Sequence, residues 1–290
     1  MKIVVECAQD GVSNKNTGAK EQCLEGVTVR HALATDEQEF ATFAAFKTLA
    51  TWKADRDLKK IIPLYTFGSL ANAYTEDTFY EADKKYLTKE GKKIITFEAH
   101  LGFCSYAALS SYNGKKLRVY EFTDQQEIIG YSPDGVKVKG QSVLISVGKR
   151  INAVGDKPPY AVVTLEYEDH KQLENGAQVA KPSWSHVELD GIFDVSINVV
   201  SASATTIKFT VDGGCAGDDK ITSLVDADVT LKTALGATVT RTFVAPDANG
   251  VYTLTGTGFV TGLLIDLNDV VSQTEASYES TGPTVVTVLP

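Results

Sequence analysis

Hydrophobic and polar residues alternate with a period of two over much of the chain's last hundred residues. "FDVSINVVS" passes through the small-residue turn "ASAT" into "TIKFTVD". "ADVTLKTA", "ATVTRTFV", "GVYTLTGTG" and "PTVVTVLP" follow. Side chains two apart share one face of a strand, so this pattern predicts short strands with one buried face. Turn residues recur roughly every 8–12 positions, the spacing of a β-sandwich.

The period changes in segment 34–58, "ATDEQEFATFAAFKTLATWKADRDL". Thr35 reads as an N-cap, Gln38 three residues later completes a capping box, and Asp36 and Glu37 suit the positive end of a helix dipole. One main helix is predicted near 36–54, with Phe40, Phe43, Phe46, Leu49 and Ala50 on a broad buried face. Strand patterns resume in "KKIITFEAHLGF" (92–103) and "KKLRVYEFTD" (115–124), flanking "CSYAALSSYNG", which reads as one or two helical turns. In "EIIGYSPDGVKVKG", Ser132-Pro133-Asp134-Gly135 combines a fixed proline φ with a glycine free to take positive φ, which predicts a β-hairpin. "SVLISVGKR" and "YAVVTLEYED" extend the sheet, the latter with Ala161, Val163, Leu165 and Tyr167 on one face. Segment 65–93, "YTFGSLANAYTEDTFYEADKKYLTKEGKK", shows neither period and reads as a long aromatic-rich loop.

Composition divides the chain. Of the net charge of −9, residues 191–290 contribute −7, from 4 Lys and Arg against 11 Asp and Glu. The same hundred residues hold 17 Thr and 15 Val, a β-branched enrichment that favours strands. The segment "KPSWSHVELDG" (181–191) is the natural hinge. These features predict two domains, 1–185 and 191–290. The first is a mainly β, sandwich-based domain with one main α-helix. The second is an all-β immunoglobulin-like sandwich, although it lacks a Cys…Trp…Cys core pattern.

No apolar run reaches the ~20 residues that cross a bilayer, and "MKIVVECAQDG" lacks the apolar core of a signal peptide. A pI near 5.0 without a basic stripe predicts no specific nucleic-acid binding. Cys7, Cys23, Cys104 and Cys215 are widely spaced, so reduced, apolar cysteines are expected. His31, His100, His170 and His186 show no metal-binding spacing.

Candidate chemistry is sparse. "DGGCAGDD" (212–219) lies between strands, and the last hundred residues contain no histidine that could activate Cys215. Asp212, Asp218 and Asp219 make calcium the functional alternative to an ordinary turn, but Gly214 breaks the EF-hand spacing. In "EYEDH" (166–170), Glu166, Glu168 and His170 read as a solvated strand end. The lysine pairs 59–60, 84–85, 92–93 and 115–116 mostly read as edges guarded against strand pairing. No P-loop, dinucleotide fingerprint or nucleophile elbow occurs, so neither an enzyme nor a cofactor is predicted.

"KADRDLKKIIPLYTFGSLANAYTEDTFYEA", "TKEGKKIITFEAHLGFCSYAALSSYNGKKLRVYEFTDQQEIIGYSPDGVKVKGQ" and "AVVTLEYED" together resemble virion structural proteins of tailed bacteriophages, particularly those infecting Bacteroidota. The resemblance spans roughly residues 34–170 and rests on patterns of strand, turn and lysine-guarded edge. It implies a non-enzymatic subunit that assembles in the host cytoplasm and resides in the virion. The expected role is a tail tube protein forming rings with itself and contacting other virion proteins, with a displayed immunoglobulin-like domain. A capsid decoration or neck protein, or a carbohydrate- or surface-binding module, is the alternative. Phe67, Tyr74, Phe79 and Tyr80 in the aromatic segment, and Pro133 and Asp134 in the hairpin turn, are the expected subunit contacts.

Overall fold

The computed structural model describes residues 4–5, 26–64, 70–81, 84–169, 171–214, 219–273 and 276–288. Strands make up 45% of the structure and helices 14%, so the fold is mainly β. Backbone contacts divide the chain into two compact units, Met1–Leu189 and Asp190–Pro290.

The first unit begins with β1 (Val4–Val5), β2 (Thr28–Ala34), α1 (Phe43–Lys47), α2 (Leu49–Asp57) and β3 (Ile61–Pro63). β4 (Leu70–Glu81), β5 (Lys84–His100), α3 (Phe103–Ser110), β6 (Lys116–Thr123) and β7 (Ile128–Tyr131) follow. β8 (Gln141–Val147), β9 (Tyr160–Tyr167), α4 (Lys171–Gly176) and β10 (Ala177–Ala180) complete it. One sheet takes in all ten strands, in the order β1-β10-β7-β6-β8-β9-β5-β4, with β2 and β3 joined through β6.

β6 is the hub of this sheet, pairing with β2, β7 and β8. Strand alternation sends its residues into two cores. Leu117 and Val119 join Leu33, Ile95, Phe97, Ile145, Val163 and Leu165 on one face. Tyr120 and Phe122 join Phe40, Phe46, Trp52 and Trp184 on the other. The ring of His31 on β2 stacks on Phe97 of β5 with centroids 5.2 Å apart, although β6, β8 and β9 separate these strands in the ladder. The sheet therefore curls until β2 and β5 meet across its inner face. The periodicity of β9 holds: Ala161, Val163, Leu165 and Tyr167 are all fully buried or within 1% of it.

The single helix expected near 36–54 is two short helices, and its cap is Thr42 rather than Thr35. Thr42 accepts a hydrogen bond from the Ala45 amide at 3.1 Å. Thr48, in extended conformation, separates α1 from α2. On an unbroken helix residues 46 and 52 would lie about 240° apart around the axis, at ~100° per residue. The break lets Phe46 and Trp52 enter the same core, where the Trp52 indole N–H donates to the Phe46 carbonyl at 2.7 Å. Phe40 precedes the helices and bridges to Val138 as a strand residue. Gln38 caps nothing: its side-chain carbonyl accepts the Tyr120 hydroxyl at 2.6 Å. A closely packed wall makes room for these rings. A Cβ on Gly130 of β7 would come within 2.9 Å of Val138 and 3.2 Å of the Phe46 ring.

Segment 65–93 is not a loop where it is described. Leu70–Glu81 and Lys84–His100 form an antiparallel hairpin. Its register shifts between Thr75 and Asp77 and again between Asp77 and Thr78. Each bulge inserts residues that break strict alternation, which hides both strands from a period-two reading. The register sets Asp77 opposite Lys89 and Glu81 opposite Lys84.

The turn at Ser132–Gly135 forms as expected, with Gly135 at φ 82° and its amide donating to the Ser132 hydroxyl at 2.8 Å. The flanking ladder is reduced to a Tyr131–Lys139 bridge, because Val138 pairs with Phe40 instead. α3 supplies the short helix expected after residue 102. Cys104, within α3, is disulfide-bonded, which corrects the expectation of reduced cysteines; Cys7, Cys23 and Cys215 lie outside the described residues. The segment 181–189 is not a free linker: Trp184 and Leu189 are buried in the aromatic core, and Arg30 donates to the Leu189 carbonyl at 2.8 Å.

The second unit runs through β11 (Ile192–Ala202), β12 (Thr206–Gly213), β13 (Asp219–Lys220), β14 (Val229–Lys232) and β15 (Thr242–Val244). It continues with β16 (Tyr252–Thr255), β17 (Leu263–Leu267), β18 (Val271–Ser272), β19 (Ser277–Ser280) and β20 (Thr284–Val286). One sheet is ordered β15-β16-β12-β11-β19-β18, with β13 paired to β12, and the other β14-β17-β20. Both contribute to one core: Ile207, Phe209 and Leu254 come from the first, and Leu231, Ile265 and Val286 from the second. If β11, β12, β14, β15, β16, β17 and β20 are lettered A to G, the sheets read D-E-B-A and C-F-G. That is the strand order of a constant-type immunoglobulin sandwich, with β18 and β19 added at the A edge. Tyr252 stands at the start of strand E; its hydroxyl accepts from the Leu224 amide at 3.1 Å and donates to the Ile221 carbonyl at 2.9 Å.

Candidate assembly surface

The hairpin of β4 and β5 has an unusual relation to its sheet. From Ile94 to Phe97, β5 is flanked by both β4 and β9, and from Glu98 to His100 it pairs with β9 alone. From Lys84 to Lys93 it pairs with β4 alone. This stretch is a two-stranded arm on the order of 30 Å long, at ~3.3 Å per residue. β4 ends the sheet, and its outer edge pairs with no strand among the described residues. An open edge of that length offers a row of backbone donors and acceptors to another strand.

The expected contact residues fall unevenly on this geometry. Tyr74, Phe79 and Tyr80 lie on β4, opposite Lys93, Tyr86 and Lys85 respectively. Phe67 lies outside the described residues. Pro133 and Asp134 are exposed in a separate turn. Asp134 Oδ1 accepts from the amides of Val136 and Lys137 at 2.9 and 2.8 Å, and these bonds hold its carboxyl below the usual range. Asp134 thus closes its own turn.

The root of the arm carries a polar cluster that the sequence reading missed. Glu121 on β6 is 4% exposed. Its Oε1 accepts from Lys93 Nζ at 2.9 Å, the Tyr167 hydroxyl at 2.7 Å and Gln141 Nε2 at 3.2 Å. Its Oε2 accepts from the Thr28 hydroxyl at 3.0 Å. Burial alone would raise the Glu121 pKa, but the Lys93 charge and these hydrogen bonds prevail and bring it to about 2. His31 beside it is held at about 4 by burial. Lys93, read as one of the edge-guarding lysines, points inward to this carboxylate. A signal did exist: Glu121 occupies the position in strict alternation with Leu117 and Val119, where an apolar residue is expected.

The remaining candidates resolve into structure. Asp212 is on β12, and its carboxylate accepts from Asn198 at 2.7 Å, Thr210 at 3.0 Å and Lys220 at 3.5 Å. A lysine therefore already supplies the counter-charge a cation would bring. Asp219 pairs with Gly213 across the β12–β13 hairpin, and Asp218 lies outside the described residues. Glu166 and Glu168 form ion pairs with Lys92 and Lys116 at 2.6 and 2.7 Å, while His170 is outside the described residues. No group of three or more His, Cys, Asp or Glu residues arranged to hold a metal occurs among the described residues. No described helix is long and apolar enough to cross a membrane. In the second unit, Lys232, Leu264, Asp266, Asn268 and Asp269 help line a groove of about 320 Å³. No protein-family model matches the chain, and no curated protein matches it.

Proposed function

We infer that the chain is a self-assembling structural subunit of a tailed-bacteriophage virion, a tail tube protein that displays an immunoglobulin-like domain. The β4–β5 arm carries this reading. A long edge strand on a two-stranded projection is an aggregation hazard for a monomer, and it is the element best suited to adding a strand to a neighbour's sheet. The bulges and acidic positions of β4 limit which edges can pair with it. The sequence resemblance to virion proteins supports the same conclusion. The mechanism is geometric: affinity comes from backbone pairing along the arm, and no chemical step is involved.

Electron microscopy and light scattering of the concentrated protein test this reading. The native chain is expected to form rings or tubes. A variant in which residues 76–91 are replaced by Asn-Gly, a two-residue turn that closes Thr75 onto Lys92, is expected to stay monomeric while keeping a native circular dichroism spectrum. Assembly of that variant at the native rate would sink the assignment. The second reading is a carbohydrate- or surface-binding module, for which the groove on the second unit would be the site. No Tyr, Trp or Phe is among the residues that line it, so it offers no aromatic face for a sugar ring to stack on. Specific signals on a glycan array would support that module instead.

A further inference from the structure

Glu121 lies on a strand face otherwise committed to aliphatic packing, where a carboxylate is costly unless it is paired. The groups that meet it come from four other strands: Thr28 and His31 from β2, Lys93 from β5, Gln141 from β8 and Tyr167 from β9. The Lys93 ammonium also lies 4.5 Å from the centre of the Tyr167 ring. β5 and β6 are not neighbours in the ladder, since β8 and β9 stand between them. The Lys93–Glu121 ion pair therefore crosses the inside of the curled sheet.

The position of Lys93 along β5 gives this pair its meaning. Ile94, the next residue, is the last to pair with β9, opposite Glu166. Lys93 thus stands at the point where the sheet ends and the arm begins. A two-stranded hairpin is at best marginally stable by itself in water, so the order of the arm depends on what holds its root. We propose that the Glu121 cluster is the anchor of the β4–β5 arm, fixing the direction in which it leaves the body. Loss of the anchor frees the arm while the body keeps its fold. The consequence for assembly rests on the role proposed for the arm; the anchor itself does not.

Hydrogen–deuterium exchange of the full chain tests the anchor. In Glu121→Gln, amides of 84–93 are expected to exchange at least about tenfold faster, the local opening that follows when a buried charge loses its partner. Amides of β9 and β12 keep their native rates. Tyr167→Phe, which removes one neutral donor and leaves both charges, produces a smaller change in the same segment. Native exchange in 84–93 of Glu121→Gln overturns the proposal. So does acceleration of β9 as large as that of the arm, because the cluster then stabilises the whole unit. Should Glu121→Gln fail to fold, Tyr167→Phe is judged by the same two outcomes. Light scattering separates the two ideas: faster exchange of the arm with native assembly leaves the anchor standing and removes the arm's assembly role.

Discussion

Glu121 and His31 are the residues whose charge matters most to the first unit, and both make it sensitive to acid. His31 has a folded pKa of about 4 against 6.5, so the unfolded chain binds more protons as pH falls through that interval. Glu121 has a folded pKa of about 2 against 4.5, with the same sign. Stability present at neutral pH is therefore lost from 6.5 toward 4 through His31, and from 4.5 toward 2 through Glu121. Each shift corresponds to about 3 kcal/mol, and the two are not additive because the groups face one another. Urea denaturation across pH should show the midpoint of the first unit falling steadily below pH 6.5; a flat profile down to pH 3 contradicts the cluster's electrostatics. At pH 7, the charge that Glu121→Gln leaves on Lys93 should be relieved by local opening of the arm, so the urea midpoint of the first unit should stay near its native value.

Among the elements, the broken helix and the arm show how differently local sequence reports on structure. The aromatic segment 40–52 announces burial: Phe40, Phe46 and Trp52 are buried, whereas Phe43 and Leu49 are half-buried and Ala50 is exposed. Trp52 is the centre of that core, with ring centroids 4.7 Å from Phe40, 4.9 Å from Tyr120, 5.4 Å from Phe122 and 6.0 Å from Trp184. Trp52→Ala should cost about 3–5 kcal/mol through the cavity it leaves. Denaturation followed by the fluorescence of Trp184, the second and last tryptophan, checks the size of that loss. The break at Thr48 was not legible, because threonine is tolerated within helices and only the need to bury Phe46 and Trp52 together selects the kink. The arm was missed for another reason. Its bulges scramble the two-residue period, and its pairing is specified by register across the hairpin, which neither strand's own pattern carries.

For the molecule as a whole, the two units have separate cores, one of them shared by both sheets of the C-terminal sandwich. Each core lies within one unit, so each unit is expected to unfold as its own cooperative transition. A chain of residues 190–290 produced alone should be folded, with a melting temperature within a few degrees of its transition in the full protein. Trp52→Ala should shift only the transition of the first unit in calorimetry. A single transition that moves as one in that variant would show the two units to be thermodynamically coupled.

The sequence by itself determined the β-rich class, the compositional break near residue 190, the buried face of β9, the Ser132–Gly135 turn and strands β11, β12, β14, β15, β16 and β20 of the sandwich, but not β17, β18 or β19. All of these rest on local rules: side-chain period, turn chemistry and β-branched enrichment act over a few residues and leave a readable trace. The tertiary structure decided the pairing order, the curl that brings His31 onto Phe97, the kink at Thr48 and the union of Lys93 with Glu121. Those features decide which elements meet across the fold, as His31 meets Phe97 and Lys93 meets Glu121, or are the outcome of competition for one core. No local pattern encodes such relations, because burial and register are settled only once the strands have met.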